Sequence, residues 1–123
     1  MNREDSLDLK IRTKHLDDVP IIELEGEVDV YTAPRLKSRL VDLVDHGSYQ
    51  IVVDLEAVDF MDSSGLGVLV GGLKRVRSRD GAIHIICTKE KILKIFRITG
   101  LTKVFPIHEA QDEAVKALGK AAG

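Results

Sequence analysis

Residues 60–76 read FMDSSGLGVLVGGLKRV, with the Asp62 carboxylate and the hydroxyls of Ser63 and Ser64 just ahead of a glycine-broken apolar run. That grouping can do three kinds of chemistry. A carboxylate or hydroxyl before an apolar-periodic segment caps a helix by accepting from its first N–H groups. A serine at a strand-to-helix turn can serve as a nucleophile. A hydroxyl at a helix mouth can also receive a phosphate.

A nucleophile elbow needs G-x-S-x-G, because small residues on both sides let the strained turn form. Here the run is Met61-Asp62-Ser63-Ser64-Gly65, and the leading glycine is missing. The four histidines, His15, His46, His84 and His108, fall in a loop, at a helix end, inside a strand and after an edge strand. No spacing ties any of them to Ser63 as a base. Gly65, Gly67, Gly71 and Gly72 loosely resemble a dinucleotide fingerprint, which needs its first glycine directly after a strand and an acid about 20 residues on. The strand IVVDL is instead followed by EAVDFMDSS, and the next strand ends in Cys87-Thr88-Lys89. No glycine precedes Lys and then Ser or Thr, so the P-loop pattern fails too. One cysteine and scattered histidines do not reach ligand spacing, and Asp54, Asp59 and Asp62 have no histidine beside them. The expectation is a chain that is not an enzyme and binds no cofactor or metal.

Cap and phosphoacceptor survive together. Asp62 or Ser63 could accept from the first-turn N–H groups, contributing about 1 kcal/mol, and the same groups form an anion site. A phosphate on Ser63 adds a charge of about −1.5 to −2. The helix dipole partly offsets it and Asp62 repels it. The bland reading of the glycines is close backbone approach at Gly65 and Gly67, and helix packing at Gly71 and Gly72. The basic run Lys74, Arg75, Arg77 and Arg79 reads as a solvated face that suits the helix C-terminus, with a partner-docking stripe as its alternative.

The elements that must position this segment follow from periodicity. Leu7, Leu9 and Ile11 alternate as a half-buried strand over 7–14. HLDDVP reads as a hairpin loop, and IIELEGEVDV as a second strand ended by Gly26 and its acids. Thr32 is the expected N-cap of a helix that has Pro34 in its first turn, Leu36, Leu40 and Leu43 or Val44 inward, and Gly47 at its stop. YQIVVDLEAVDF gives a third strand. Leu66, Leu69, Val70, Leu73 and Val76 fall at helical spacing. AIHIICT is a fourth strand, with Cys87 read as a quiet buried thiol. KEKILKIFRITG is a helix with Ile92, Ile95 and Phe96 inward, VFPIH a short edge strand, and AQDEAVKALGKAAG a last helix with a fraying tail. The alternation predicts an α/β fold, a mixed sheet of four to five strands with about four helices packed on it.

Composition agrees with one soluble domain over 1–123, its ordered core about 7–118. Of the 123 residues, 44% are hydrophobic and 31% charged, as in a globular protein. A net charge of −2 gives no basic field for nucleic acid. A lone cysteine fits a reducing compartment. Without a secretory signal or an apolar run of spanning length, the expected location is the cytoplasm, with no membrane partner.

At VDFMDSSGLGVLVGGLKR the chain resembles the bacterial anti-sigma factor antagonists, small single-domain STAS proteins, and most closely their actinobacterial regulatory branch. The marker D-S-[ST]-G-L-G is matched from Asp62 to Gly67, and a second marker, G-E-[LIV]-D, from Gly26 to Asp29. KILKIFRITGLTKVFPIHEAQDEAV resembles the C-terminal third of such proteins. The resemblance implies a partner-switching cycle. The unphosphorylated antagonist binds an anti-sigma factor that is also a serine kinase of the histidine-kinase-like ATPase type, and frees the sigma factor. Phosphorylation of Ser63 ends binding, and a metal-dependent serine phosphatase restores it. By position, Asp62 is the flanking acid, Ser64, Gly65, Leu66 and Gly67 shape the docking helix start, and Asp29 lies beside it. The free protein is expected to be a monomer. The competing readings are a STAS scaffold or transporter accessory subunit, and, on the glycine run alone, a small-ligand carrier.

Overall fold

The computed structural model describes residues 8–122. Leu7, which the periodicity puts in the first strand, and Gly123, at the tail of the last helix, lie outside them. Two antiparallel strands, β1 (Leu9–Leu16) and β2 (Val19–Val28), open the chain. Then come α1 (Ala33–Asp45), β3 (Gln50–Met61), α2 (Ser63–Arg77), β4 (Ala82–Ile86), α3 (Glu90–Ile98), a single 3₁₀ turn (Leu101–Lys103), β5 (Ile107–His108) and α4 (Gln111–Ala122). The five strands lie in chain order, β1-β2-β3-β4-β5, with every pair after the first hairpin parallel. This is the mixed sheet that the alternation predicts.

Strand alternation divides the core. On one face Leu24, Ile51, Val53, Leu55, Ile83 and Ile85 meet Leu36 and Leu40 of α1, Leu69 and Leu73 of α2, and Ile92 and Phe96 of α3. On the other, Ile21, Val52 and Ile86 meet Ala114, Val115 and Leu118 of α4. Glu23 and Asp54, neighbours across β2 and β3, both accept from the Gln111 side chain, at 2.8 and 2.7 Å, so the two carboxylates anchor the start of α4. The Gln111 amide and the nearby Lys14 and Arg12 hold the Glu23 carboxyl below its usual range. Cys87 is buried, and that burial pushes its thiol up.

Several boundaries differ from the sequence reading. The hairpin loop is only Asp17-Asp18, both left-handed at φ 51° and 67°, so HLDDVP mostly belongs to strands and Pro20 pairs with His15. A two-residue loop of this hand matches the strand twist. Gly26 does not end β2. It sits inside the strand at φ 117°, where a Cβ would lie 2.1 Å from the Asp8 carbonyl oxygen, and the β2–β3 register shifts beside it. VFPIH supplies only a two-residue strand; Phe105 turns into the core instead and meets Phe96 edge-to-face at 6.0 Å.

Candidate functional site

β3 runs unbroken to Met61, and α2 begins at Ser63 with only Asp62 between. The third strand, read from the sequence as YQIVVDLEAVDF, thus begins and ends one residue later than that reading. Asp62 is extended, φ −106° and ψ −171°, and its Oδ1 accepts from the N–H of Ser64 at 2.8 Å and of Gly65 at 3.3 Å. The cap is Asp62, not Ser63. Ser63 is the first helical residue and is exposed, and among the described residues no hydrogen bond holds its hydroxyl.

The end of β2 abuts this turn. The Asp62 N–H donates to the Val28 carbonyl at 3.1 Å, which sets the β2–α1 loop beside the mouth of α2. In that loop Asp29 Oδ1 accepts from the N–H groups of Tyr31 and Thr32, at 2.9 and 3.0 Å. Thr32 is the N-cap of α1 by position, but its side chain makes no capping bond. It is fully buried, donating to the Glu27 carbonyl at 2.8 Å and accepting from the Asp29 N–H at 2.9 Å. The Asp29 carboxylate organises the loop in its place.

The glycines split by role. A Cβ on Gly65 would lie 2.7 Å from Val28 Cγ1 and 3.0 Å from Met61 Cγ, so only hydrogen fits where α2 crosses the sheet end. Gly72 is less tightly placed, with a Cβ 3.1 Å from Leu40 Cδ1 and 3.3 Å from Ile83 Cδ1, so those side chains would have to give slightly. Gly67 and Gly71 are open: a Cβ on either meets nothing within 4 Å, so close packing within the chain does not explain them. Leu66 is half-buried at the core's edge.

The structure thus gathers Asp29, Asp62, Ser63, Ser64, Gly65, Leu66 and Gly67 at one end of the sheet. It also adds residues that the sequence reading passed over. Val30 is 60% exposed, Tyr31 74% and Phe60 41%, three large apolar side chains on the loop and strand that frame Ser63. Two adjacent apolar residues in a loop, Val30-Tyr31, were the available signal. His84 and His108 are together, although their positions in the chain looked unrelated. His84 Nδ1 and His108 Nε2 are 2.9 Å apart with the rings nearly parallel. Burial and the neighbouring His108 push His84 down to about 4. No histidine serves Ser63. His84 alternates with core residues onto the α4 face, whereas α2 covers the opposite one, and His15 and His46 lie toward the hairpin end. Among the described residues no cluster of three or more His, Cys, Asp or Glu side chains could hold a metal ion.

The STAS domain family matches residues 10–114. The chain belongs to that family. An anti-sigma-B factor antagonist of Staphylococcus epidermidis is 37% identical over 106 residues, covering 86% of this chain and 98% of the relative. Its counterpart in Staphylococcus aureus is 36% identical over the same shares. Among solved structures, an anti-sigma factor antagonist from Mycobacterium paratuberculosis superposes with a TM-score of 0.83 at 27% identity, covering 96% of this chain and 98% of its own. A Thermotoga maritima protein reaches the same TM-score at 28% identity, covering 88% of this chain and 93% of its own. No helix among the described residues is long and apolar enough to cross a membrane.

Proposed function

We propose that this STAS domain is an anti-sigma factor antagonist switched by phosphorylation of Ser63. The unmodified form binds an anti-sigma factor that is also a serine kinase of the histidine-kinase-like ATPase type, and the sigma factor is released. In the kinase step the Ser63 Oγ bonds to the γ-phosphorus of ATP, the bond to the ADP oxygen breaks, ADP departs, and the hydroxyl proton passes to a base of the kinase. A metal-dependent phosphatase hydrolyses the product and resets the cycle. ATP and metal ions belong to the partners, and the chain's own contribution is a shaped surface in the cytoplasm.

The observation that carries this reading is the division of labour between Asp62 and Ser63. The carboxylate occupies the first N–H groups of α2, which leaves the Ser63 hydroxyl exposed and unengaged on a capped helix start. Asp29, Ser64, Gly65, Leu66 and Gly67 shape the docking surface, and Val30, Tyr31 and Phe60 supply apolar contacts around it. An unpaired charge left buried at an interface costs roughly 3–5 kcal/mol, and each 1.4 kcal/mol is about tenfold in affinity. A phosphate there weakens binding by about a hundredfold or more without unfolding the domain. The fit of the relatives' names to this site supports the same reading.

Mass spectrometry of the protein from its native cell tests it. One phosphate on Ser63, absent from Ser63→Ala, is the expected result, with Ser63→Ala still capturing the kinase and Ser63→Asp binding it more weakly. Phosphate persisting in Ser63→Ala moves the site elsewhere.

A further inference from the structure

A groove of about 460 Å³ lies between α1 and α2 and begins beside the acceptor, at Ser64. It extends along α2 to Arg75, eleven residues further on, which at about 1.5 Å per residue is roughly 16 Å. Positions 64, 67, 68, 71 and 75 repeat at intervals of three and four and so share one helix face. Leu40 and Val41 of α1 and Val68 of α2 give the groove apolar walls. Gly67 and Gly71 leave the α2 backbone bare toward it. Lys37 and Arg75 stand exposed on opposite helices at its rims, and among the described residues neither is in an ion pair.

We infer that this groove docks an amphipathic helix of the partner kinase, with its apolar side on the half-buried Val41 and Val68 and its carboxylates facing Lys37 and Arg75. The inference rests on the reading that a kinase binds at Ser63, and extends that contact along α2. The length suits about three turns of helix, and bare glycine backbone lets a second helix approach closely, as helix-in-groove recognition requires. The two rim cations select an acidic helix over a basic one. An acidic helix also couples the groove to the switch, because a phosphate on Ser63 would face it with like charge.

The kinase captured by Ser63→Ala and then purified is the probe, titrated against the parent chain, Gly71→Leu, Lys37→Glu with Arg75→Glu, and Ser63→Asp. Gly71→Leu puts a side chain into open groove and is expected to weaken binding at least tenfold. The double charge reversal, on exposed residues that the fold does not need, is expected to do the same, with the loss shrinking at high salt. Parental affinity in both variants overturns the groove and leaves the Ser63 reading intact if Ser63→Asp still binds weakly. Parental affinity in Ser63→Asp alone overturns the Ser63 reading instead. Self-association that Gly71→Leu abolishes in sedimentation velocity, or a small anionic amphiphile that it displaces in native mass spectrometry, would identify a different occupant and overturn the proposal.

Discussion

Adjacent glycines in α2 should respond differently to alanine. Gly71 and Gly72 share the same helical backbone, and alanine is favoured over glycine in a helix interior by about 0.5–1 kcal/mol. At Gly71 a Cβ meets nothing within 4 Å, so Gly71→Ala should realise that gain in full. At Gly72 the Cβ would lie 3.1 Å from Leu40 Cδ1 and 3.3 Å from Ile83 Cδ1. Leu40 is 1% exposed and Ile83 fully buried, so neither has solvent to move into. Overpacking of this kind costs roughly 1–3 kcal/mol, which cancels or exceeds the propensity gain. Gly71→Ala should raise the urea midpoint, Gly72→Ala should lower it or leave it unchanged, and the pair should differ by at least about 1 kcal/mol at constant m. Equal stabilisation of both would refute the claim that α2 is pressed onto Leu40 and Ile83 at Gly72 and bare at Gly71.

Other outcomes follow from the same geometry. Tyr31→Ala should leave stability unchanged, since the ring is 74% exposed, yet weaken binding to the proposed kinase about tenfold in a titration, because exposed tyrosines beside a binding centre are frequent hot spots. His84 titrates near 6.5 when unfolded and near 4 when folded, so below about 6.5 the unfolded chain takes up a proton that the native chain refuses. Its contribution to stability is therefore whole above pH 6.5 and is lost as pH falls toward 4. His84→Asn should flatten that part of a urea-midpoint profile, and an unchanged slope would assign the acid loss to other groups.

Most of the layout was legible because periodicity reports burial. The apolar run in IVVDL marks a strand that the structure buries on both faces, and the helical spacing of Leu69, Leu73 and Val76 marks the buried face of α2. What escaped was set by contacts between distant segments. Nothing near Gly26 in the chain tells that Asp8 crosses over it, so a glycine required inside a strand looked like a strand end. His84 and His108 meet because β4 and β5 pair, and that two-residue strand has no period to read. The segment around Ser63 was legible as a helix mouth, but spacing alone left Asp62 and Ser63 as equal candidates for the cap. The α1–α2 groove was invisible, because Gly67 and Gly71 mean close packing or open space depending on what lies opposite.

The cap assignment decides where the charge of a phosphate can go, and a double-mutant cycle can read it. In the parent, Asp62 Oδ1 already holds the Ser64 and Gly65 N–H groups, so phosphate on Ser63 finds the helix terminus occupied. Phosphoserine incorporated at position 63 should then move parental stability by no more than about 0.5 kcal/mol, the balance of a screened helix dipole and a neighbouring carboxylate. Asp62→Ala loses the cap and should cost about 1 kcal/mol. In that background the two N–H groups are vacant, the repelling carboxylate is gone, and phosphoserine can bind the terminus as an anion. Phosphorylation should therefore stabilise Asp62→Ala by about 1 kcal/mol while scarcely changing the parent, a positive coupling measured by urea denaturation of the four proteins. Equal shifts in both backgrounds would mean that phosphate and carboxylate do not compete for the same donors. The charge would then be absorbed by the helix even in the parent, and release of the proposed kinase would have to come from steric exclusion instead of from an anion left for the interface to bury.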